Sequence, residues 1–341
     1  MKHILSWFVL IVSIAVIVSS CRDIKWNVVV DGSPDNSSDN STSTADNSTS
    51  SSSDNSSSAN PKVFVAVGNS GNIVRSTDNG SSWDNATSPT ANRLLGVYFG
   101  NNTFVAVAQS GNIVRSTDNG SSCDNATSPT TNNLKGVYFG NDTFVIVGDS
   151  GNIVRSTDNG SSWDNATSPT TSNLLGVSFG NNTFVAVGNS GNIVRSTNNG
   201  SSWDNATSPT GNTMRGIGFG NDIFVAVGVS GNIVRSTNNG STWDNVTSPT
   251  GNRLNGITFG NNTFVAVAQS GNIVRSTDNG SSWDNATSTT ANNLAGVTFG
   301  NNTFVAVGNS GNIVRSTDNG SYWDNATSPT GNAIYAVAFS E

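Results

Sequence analysis

The residues that could do chemistry are few, and their positions remove most of the chemistry. The single histidine is His3 and the single glutamate is Glu341; the cysteines are Cys21 and Cys123. His3 lies in a segment expected to be removed, so no imidazole is left for a Ser-His-Asp or Cys-His site or for a metal. Cys21 and Cys123 sit in such different contexts that we do not read them as a disulfide pair. A glycosidase needs two carboxylates roughly 5–9.5 Å apart. Nearly every Asp here recurs at one fixed period and so has a structural account; Asp142, Asp149 and Asp222 are the exceptions. No metal site and no cofactor are expected. Charged residues are 11% of the chain and the net charge is −7. That balance argues against nucleic acid, which needs clustered Lys and Arg.

Two chemistry-bearing types recur in register. Arg75, Arg115, Arg155, Arg195, Arg235, Arg275 and Arg315 are each followed, nine positions on, by an Asp: Asp84, Asp124, Asp164, Asp204, Asp244, Asp284 and Asp324. One reading is a ring of anion-binding guanidiniums. The other, which the spacing favours, is a cross-strand ion pair within each repeat, worth roughly 0.2–1 kcal/mol.

The elements that hold these residues follow from an internal repeat. Ser76-Thr77-Asp78-Asn79-Gly80-Ser81-Ser82-Trp83 recurs from Ser116, Ser156, Ser196, Ser236, Ser276 and Ser316, in steps of forty, so residues 62–341 hold seven units. Each unit predicts four short strands. In the unit from Thr103 they are Thr103 to Val107, Asn112 to Ser116, a strand through Cys123 to Thr127, and Leu134 to Phe139. Gly and Asn mark the turns between them. Both alternating faces are apolar from Phe104 to Val107, so that strand should be buried on both sides, as in a blade between two blades. Four strands per ~40 residues is the propeller period. The array begins on a second-strand pattern, Val63 to Val67, and ends on an inner-strand pattern, Ile334 to Phe339. We therefore expect an all-β, seven-bladed β-propeller of four-stranded antiparallel blades, the first blade closed by the C-terminal strand.

The segment Ser-x-Asp-x-Gly-x-x-Trp resembles the Asp-box, or bacterial neuraminidase repeat. Its known propellers include sialidases, xyloglucan-degrading glycosidases, sortilin-type receptors and the photosystem II assembly factor family; a single propeller behind an export signal looks most like the last. The resemblance implies that Asp78, Asp118, Asp158, Asn198, Asn238, Asp278 and Asp318 bind turn amides. It also implies a positive φ at Gly80 and a Trp83 packed between blades. Cys123 replaces the Trp in one unit, so looser packing is expected there. Sialidases resemble one another in using a Tyr nucleophile partnered by Glu. Here Tyr98, Tyr138, Tyr322 and Tyr335 have no Glu close in sequence, so no enzyme activity is expected.

Lys2 and His3 precede an apolar run from Ile4 to Val18 and then Val18-Ser19-Ser20-Cys21. These are the marks of an export signal, and the ending resembles a bacterial lipobox. Residues 1–20 are read as the lipoprotein signal peptide and Cys21 as the lipidated residue. Residues 21–61, dominated by Ser, Thr, Asp and Asn, are read as a disordered tether, and residues 62–341 as the propeller. The expected place is the cell envelope, on a membrane facing the periplasm or the exterior.

Differences among the copies gather in two loops expected at one end of the ring. One carries Arg93, Asn133, Asn173, Thr213, Arg253, Asn293 and Ala333, and two residues on Leu95, Lys135, Leu175, Arg215, Asn255, Ala295 and Tyr335; the other runs from Asn69 to Asn309 in steps of forty. Arg93, Lys135, Arg215, Arg253 and Tyr335 form the expected partner-binding set, since Arg and Tyr are favoured interface anchors. The expectation is a non-catalytic, monomeric scaffold whose face binds a protein or an anionic polymer. The alternatives are a glycan-active enzyme of sialidase type and a purely structural or adhesive surface protein.

Overall fold

The computed structural model describes residues 62–340. The expectations for the signal peptide, the tether and Cys21 lie outside the described residues. The second strand of each repeat is the most apolar, and it is the most buried: Thr103–Ala108 is buried at every position. In the second blade it pairs antiparallel with Leu94–Gly100 on its inner side and Ile113–Ser116 on its outer side; Asp124–Ala126 completes the four strands. The outermost strand is shorter than the sequence suggests, because the residue at Cys123 turns into the gap between blades instead of continuing the ladder.

Seven such sheets follow round the ring, with their innermost strands side by side in a closed circle; six have four strands, and the seventh gains a fifth, Thr287–Ser288 from the sixth repeat, paired parallel to its outermost strand. The first blade joins the two ends of the propeller. Ile334–Phe339 pairs antiparallel with Phe64–Gly68, setting Phe339 opposite Phe64 and Val337 opposite Ala66. Ser340 clasps the same strand: its Oγ accepts from Val63 N at 2.6 Å, and its N–H donates to Val63 O at 2.9 Å. Residues 62–340 thus form a seven-bladed propeller closed by its C-terminal strand.

The core is a set of seams, each shared by two blades. Trp83 is buried against Phe64 and Val74 of its own blade and Val305, Val307 and Ile313 of the preceding one. Its indole Nε1 donates to Gly80 O at 3.1 Å. Every blade with a Trp at this position repeats that bond. Cys123 cannot make it, and it is only half-buried. Burial, aided by the Asp118 carboxylate, pushes its thiol up to about 11, so it is neither thiolate nor nucleophile near neutral pH.

Asp78 organises its turn by accepting from Ser82 N at 2.9 Å, Ser82 Oγ at 2.5 Å and Ser76 Oγ at 2.8 Å. Asn198 keeps the first contact through Oδ1 and reverses the second, its Nδ2 donating to Ser202 Oγ at 2.8 Å. Gly80 has φ +80, and a Cβ there would lie 2.9 Å from Val305 Cγ2 of the preceding blade. Backbone conformation and inter-blade approach therefore both require glycine.

The register sets Arg75 opposite Asp84, as the spacing predicts. The ion pair does not form; the one salt bridge among the described residues is Lys135–Asp149. Arg75 Nε instead donates to Asn119 O in the turn of the next blade at 2.8 Å, and four more blades repeat this. The arginine is a clasp between blades. A carbonyl in the partly buried blade seam outbids a water-exposed carboxylate because the hydrogen bond is partly shielded from solvent while the surface pair is screened.

The turn carboxylates carry a prediction for acid. Hydrogen bonds from Ser162 Oγ and N hold Asp158 down to about 2. Burial works against Asp278, yet its bonds from Ser282, Ser276 and Ser281 also hold it at about 2. A carboxyl depressed on folding stabilises fully above its unfolded value, near ~4, and loses that contribution as pH falls through the folded value. The unfolding midpoint should be level above pH ~5 and fall between ~4 and ~2. Calorimetry across that range checks it; a midpoint unchanged down to pH 2 would contradict it. Replacing Asp158 and Asp278 by Asn should flatten the fall, since Asn198 and Asn238 hold the same turn without titrating.

Candidate functional site

The inner strand bulges where it leaves its loop: Leu94 pairs with Ala108 but Gly96 pairs with Val107, leaving Leu95 unpaired. The same irregularity recurs round the ring. The extra residue is released from the ladder. As a result Leu95, Lys135, Leu175, Arg215, Asn255, Ala295 and Tyr335 line a pocket of about 240 Å³ at the mouth of the central channel.

Four of the five residues in the expected partner-binding set line this pocket: Lys135, Arg215, Arg253 and Tyr335. Arg93 lies beside it, its guanidinium 5.3 Å from the centre of the Tyr335 ring and its Nε donating to Asn69 Oδ1 at 3.2 Å. The two variable loops therefore meet at one end. Asp149, from the second loop, takes an ion pair from Lys135 at 3.4 Å and a hydrogen bond from Asn133 Nδ2 at 2.8 Å.

The four cations are not equivalent. Lys135 is neutralised by Asp149, and Arg93 is taken up by Tyr335 and Asn69. Arg253 Nε donates to Asn255 Oδ1 at 3.0 Å, a neutral partner. Arg215 has its Nε buried with no hydrogen-bond partner. Burial, and then the positive charge of Arg253, lower its pKa. Uncompensated positive charge thus concentrates on Arg215 and Arg253, of adjacent blades. The sequence showed four basic side chains on one face but not which of them the fold neutralises.

Behind the mouth, a channel of about 600 Å³ runs between the inner strands. Its wall is asymmetric, which sequence reasoning missed. Tyr98 and Tyr138 lie against each other across a blade boundary, ring centres 4.0 Å apart, and the same position is Ser178, Gly218, Thr258, Thr298 and Ala338 in the other blades. That variability inside an inner strand was the available signal. At the far end, Phe139 lies so close to Gly100 that a Cβ there would come within 2.1 Å of its ring. No group of three or more His, Cys, Asp or Glu able to hold a metal ion occurs among the described residues.

Residues 89–341 match the family described as Photosynthesis system II assembly factor YCF48. The chain belongs to this family. No curated protein matches it in sequence. Among solved structures it is similar to YCF48 from Cyanidioschyzon merolae, at TM-score 0.61 and 19% identity over 74% of this chain and 92% of that one. It is also similar to YCF48 bound to D1 peptide, at TM-score 0.55 and 17% identity over 79% and 84%. A third is the nidogen/laminin complex, at TM-score 0.56 and 10% identity over 82% and 98%. At these identities the likenesses speak for the fold. Family membership supports a protein-binding scaffold and is the ground on which an assembly role rests.

Proposed function

We propose that the propeller is a non-catalytic assembly scaffold that holds an extended, acidic segment of a partner protein across the channel mouth. The observation that carries this reading is the pairing of Arg215 with Arg253, without a carboxylate partner, beside the apolar Leu95, Leu175 and Tyr335. A carboxylate-bearing segment would satisfy the cations through charge-assisted hydrogen bonds, and the apolar residues would take its side chains. Family membership and the D1 peptide bound to a YCF48 structure support a protein as partner. Lipidation at Cys21 would tether the scaffold to a membrane of the cell envelope, with residues 21–61 as spacer; the motif around Cys21 supports that placement.

The test is capture of partners from envelope extract by the parent and by a variant with Arg93, Lys135, Arg215, Arg253 and Tyr335 all changed to Ser. A second variant, Asn101→Lys with Asn181→Lys, alters the opposite face. The five-residue variant should lose the partner by about tenfold or more, and raised salt should weaken the parent in the same direction. Retention by that variant, with loss in the opposite-face control, would place the site wrongly. Capture of an acidic polysaccharide in place of protein would overturn the choice of partner. Turnover of a glycoside panel would sink the non-catalytic reading.

A further inference from the structure

We infer that the central channel itself is a binding site for a small aromatic anion, with its ring on the Tyr98–Tyr138 wall and its charge on Arg215. The site lies deeper than the mouth and stands whether or not a protein covers it.

Three features place these groups round one space. Tyr98 and Tyr138, from the second and third blades, line the channel together with Arg215 of the fifth. In a seven-membered ring the fifth blade is across the channel from the second. Both tyrosines are also in contact with each other, so they form a fixed aromatic surface. Arg215 carries the opposite requirement. Its side chain lines the channel, and no protein group accepts a hydrogen bond from its Nε. A carboxylate or sulfonate entering from the channel would be bound by a guanidinium that has no competing acid, since Asp149 is already engaged by Lys135.

The third feature is room. Three residues beyond Arg215 on the same strand is Gly218, at the position that carries Tyr98 and Tyr138 in the second and third blades. A Cβ there would meet nothing closer than Ile257 at 3.7 Å. The wall is thus cut back beneath the cation and built up opposite it. A volume of about 600 Å³ is within the usual range for small-molecule sites, roughly 300–1,000 Å³. Aromatic contact on one side and a charge-assisted hydrogen bond on the other select for a ligand having both parts.

Calorimetric titration of the full chain with 2-naphthoate tests the site. The expected result is one-to-one binding, with the neutral 2-naphthylmethanol at least about tenfold weaker and sodium acetate not competing at equal concentration. Arg215→Met keeps the apolar stem and should weaken 2-naphthoate by about tenfold or more while leaving 2-naphthylmethanol unchanged. Gly218→Ile should weaken both aromatic probes, and because two other blades carry Tyr at that position, its unfolding midpoint should match the parent. No detectable binding at millimolar probe overturns the proposal. So does equal binding of the neutral probe, or undiminished affinity in a folded Gly218→Ile variant.

Discussion

Deleting residues 331–341 is expected to destroy the ring. The deleted strand supplies Ile334, Val337 and Phe339, all buried, and the full inner edge for Phe64–Gly68. Burying one such side chain is worth roughly 1.5–3 kcal/mol. Three together, with the lost ladder, approach the ~5–15 kcal/mol that holds a typical domain. The damage would not stay in one blade. The seam formed by Phe64, Trp83, Val305 and Ile313 includes all three deleted side chains, and the inner face of the seventh blade would lose its neighbour. The exposed strand edge should then pair between molecules. Light scattering and thermal unfolding decide it. We expect aggregation, or a midpoint lowered by tens of degrees, and partial recovery when a peptide of residues 331–341 is added. A truncated chain that stays monomeric and melts within two degrees of the parent would show that closure is not needed.

The second large effect runs the other way. Cys123→Trp should stabilise the protein by about 2 kcal/mol, within the range for filling a core site with a large side chain. Six other blades show what the new ring would meet: a seam of aliphatic side chains from the preceding blade, a tilted contact with the Phe of its own second strand, and a carbonyl for the indole N–H. In the second blade these are Val65, Val67 and Ile73, Phe104, and Gly120 O. At Trp163 the corresponding aromatic contact is 6.3 Å from Phe144 and the bond to Gly160 O is 3.1 Å. For a domain of this size the gain corresponds to a midpoint about 3–4 °C higher. A calorimetric midpoint that falls would show that the seam between the first and second blades has closed round the smaller side chain.

Period, strand pattern and turn chemistry determined the architecture without help from tertiary structure. A forty-residue unit with one doubly apolar strand cannot bury that strand alone, so its copies must stack, and seven copies with complementary ends can close. The turn from Ser76 to Trp83 was equally legible, because Asp, Gly and Trp are bound there to partners within a few residues. The arginines mark the limit of that logic. Spacing correctly set Arg75 opposite Asp84, yet the guanidinium bonds to Asn119 of the next blade. Register within a sheet is a local property, whereas the choice between a solvent-screened carboxylate and a partly shielded carbonyl depends on how closely two blades approach. The site divides in the same way. Comparing the copies picked out Arg93, Lys135, Arg215, Arg253 and Tyr335 and the end of the ring on which they lie. Only the tertiary structure decided that Asp149 neutralises Lys135, that Tyr335 takes up Arg93, and that Arg215, its Nε buried without a partner, lies beside Arg253. Those outcomes are set by distances between blades that no repeat carries in its own sequence.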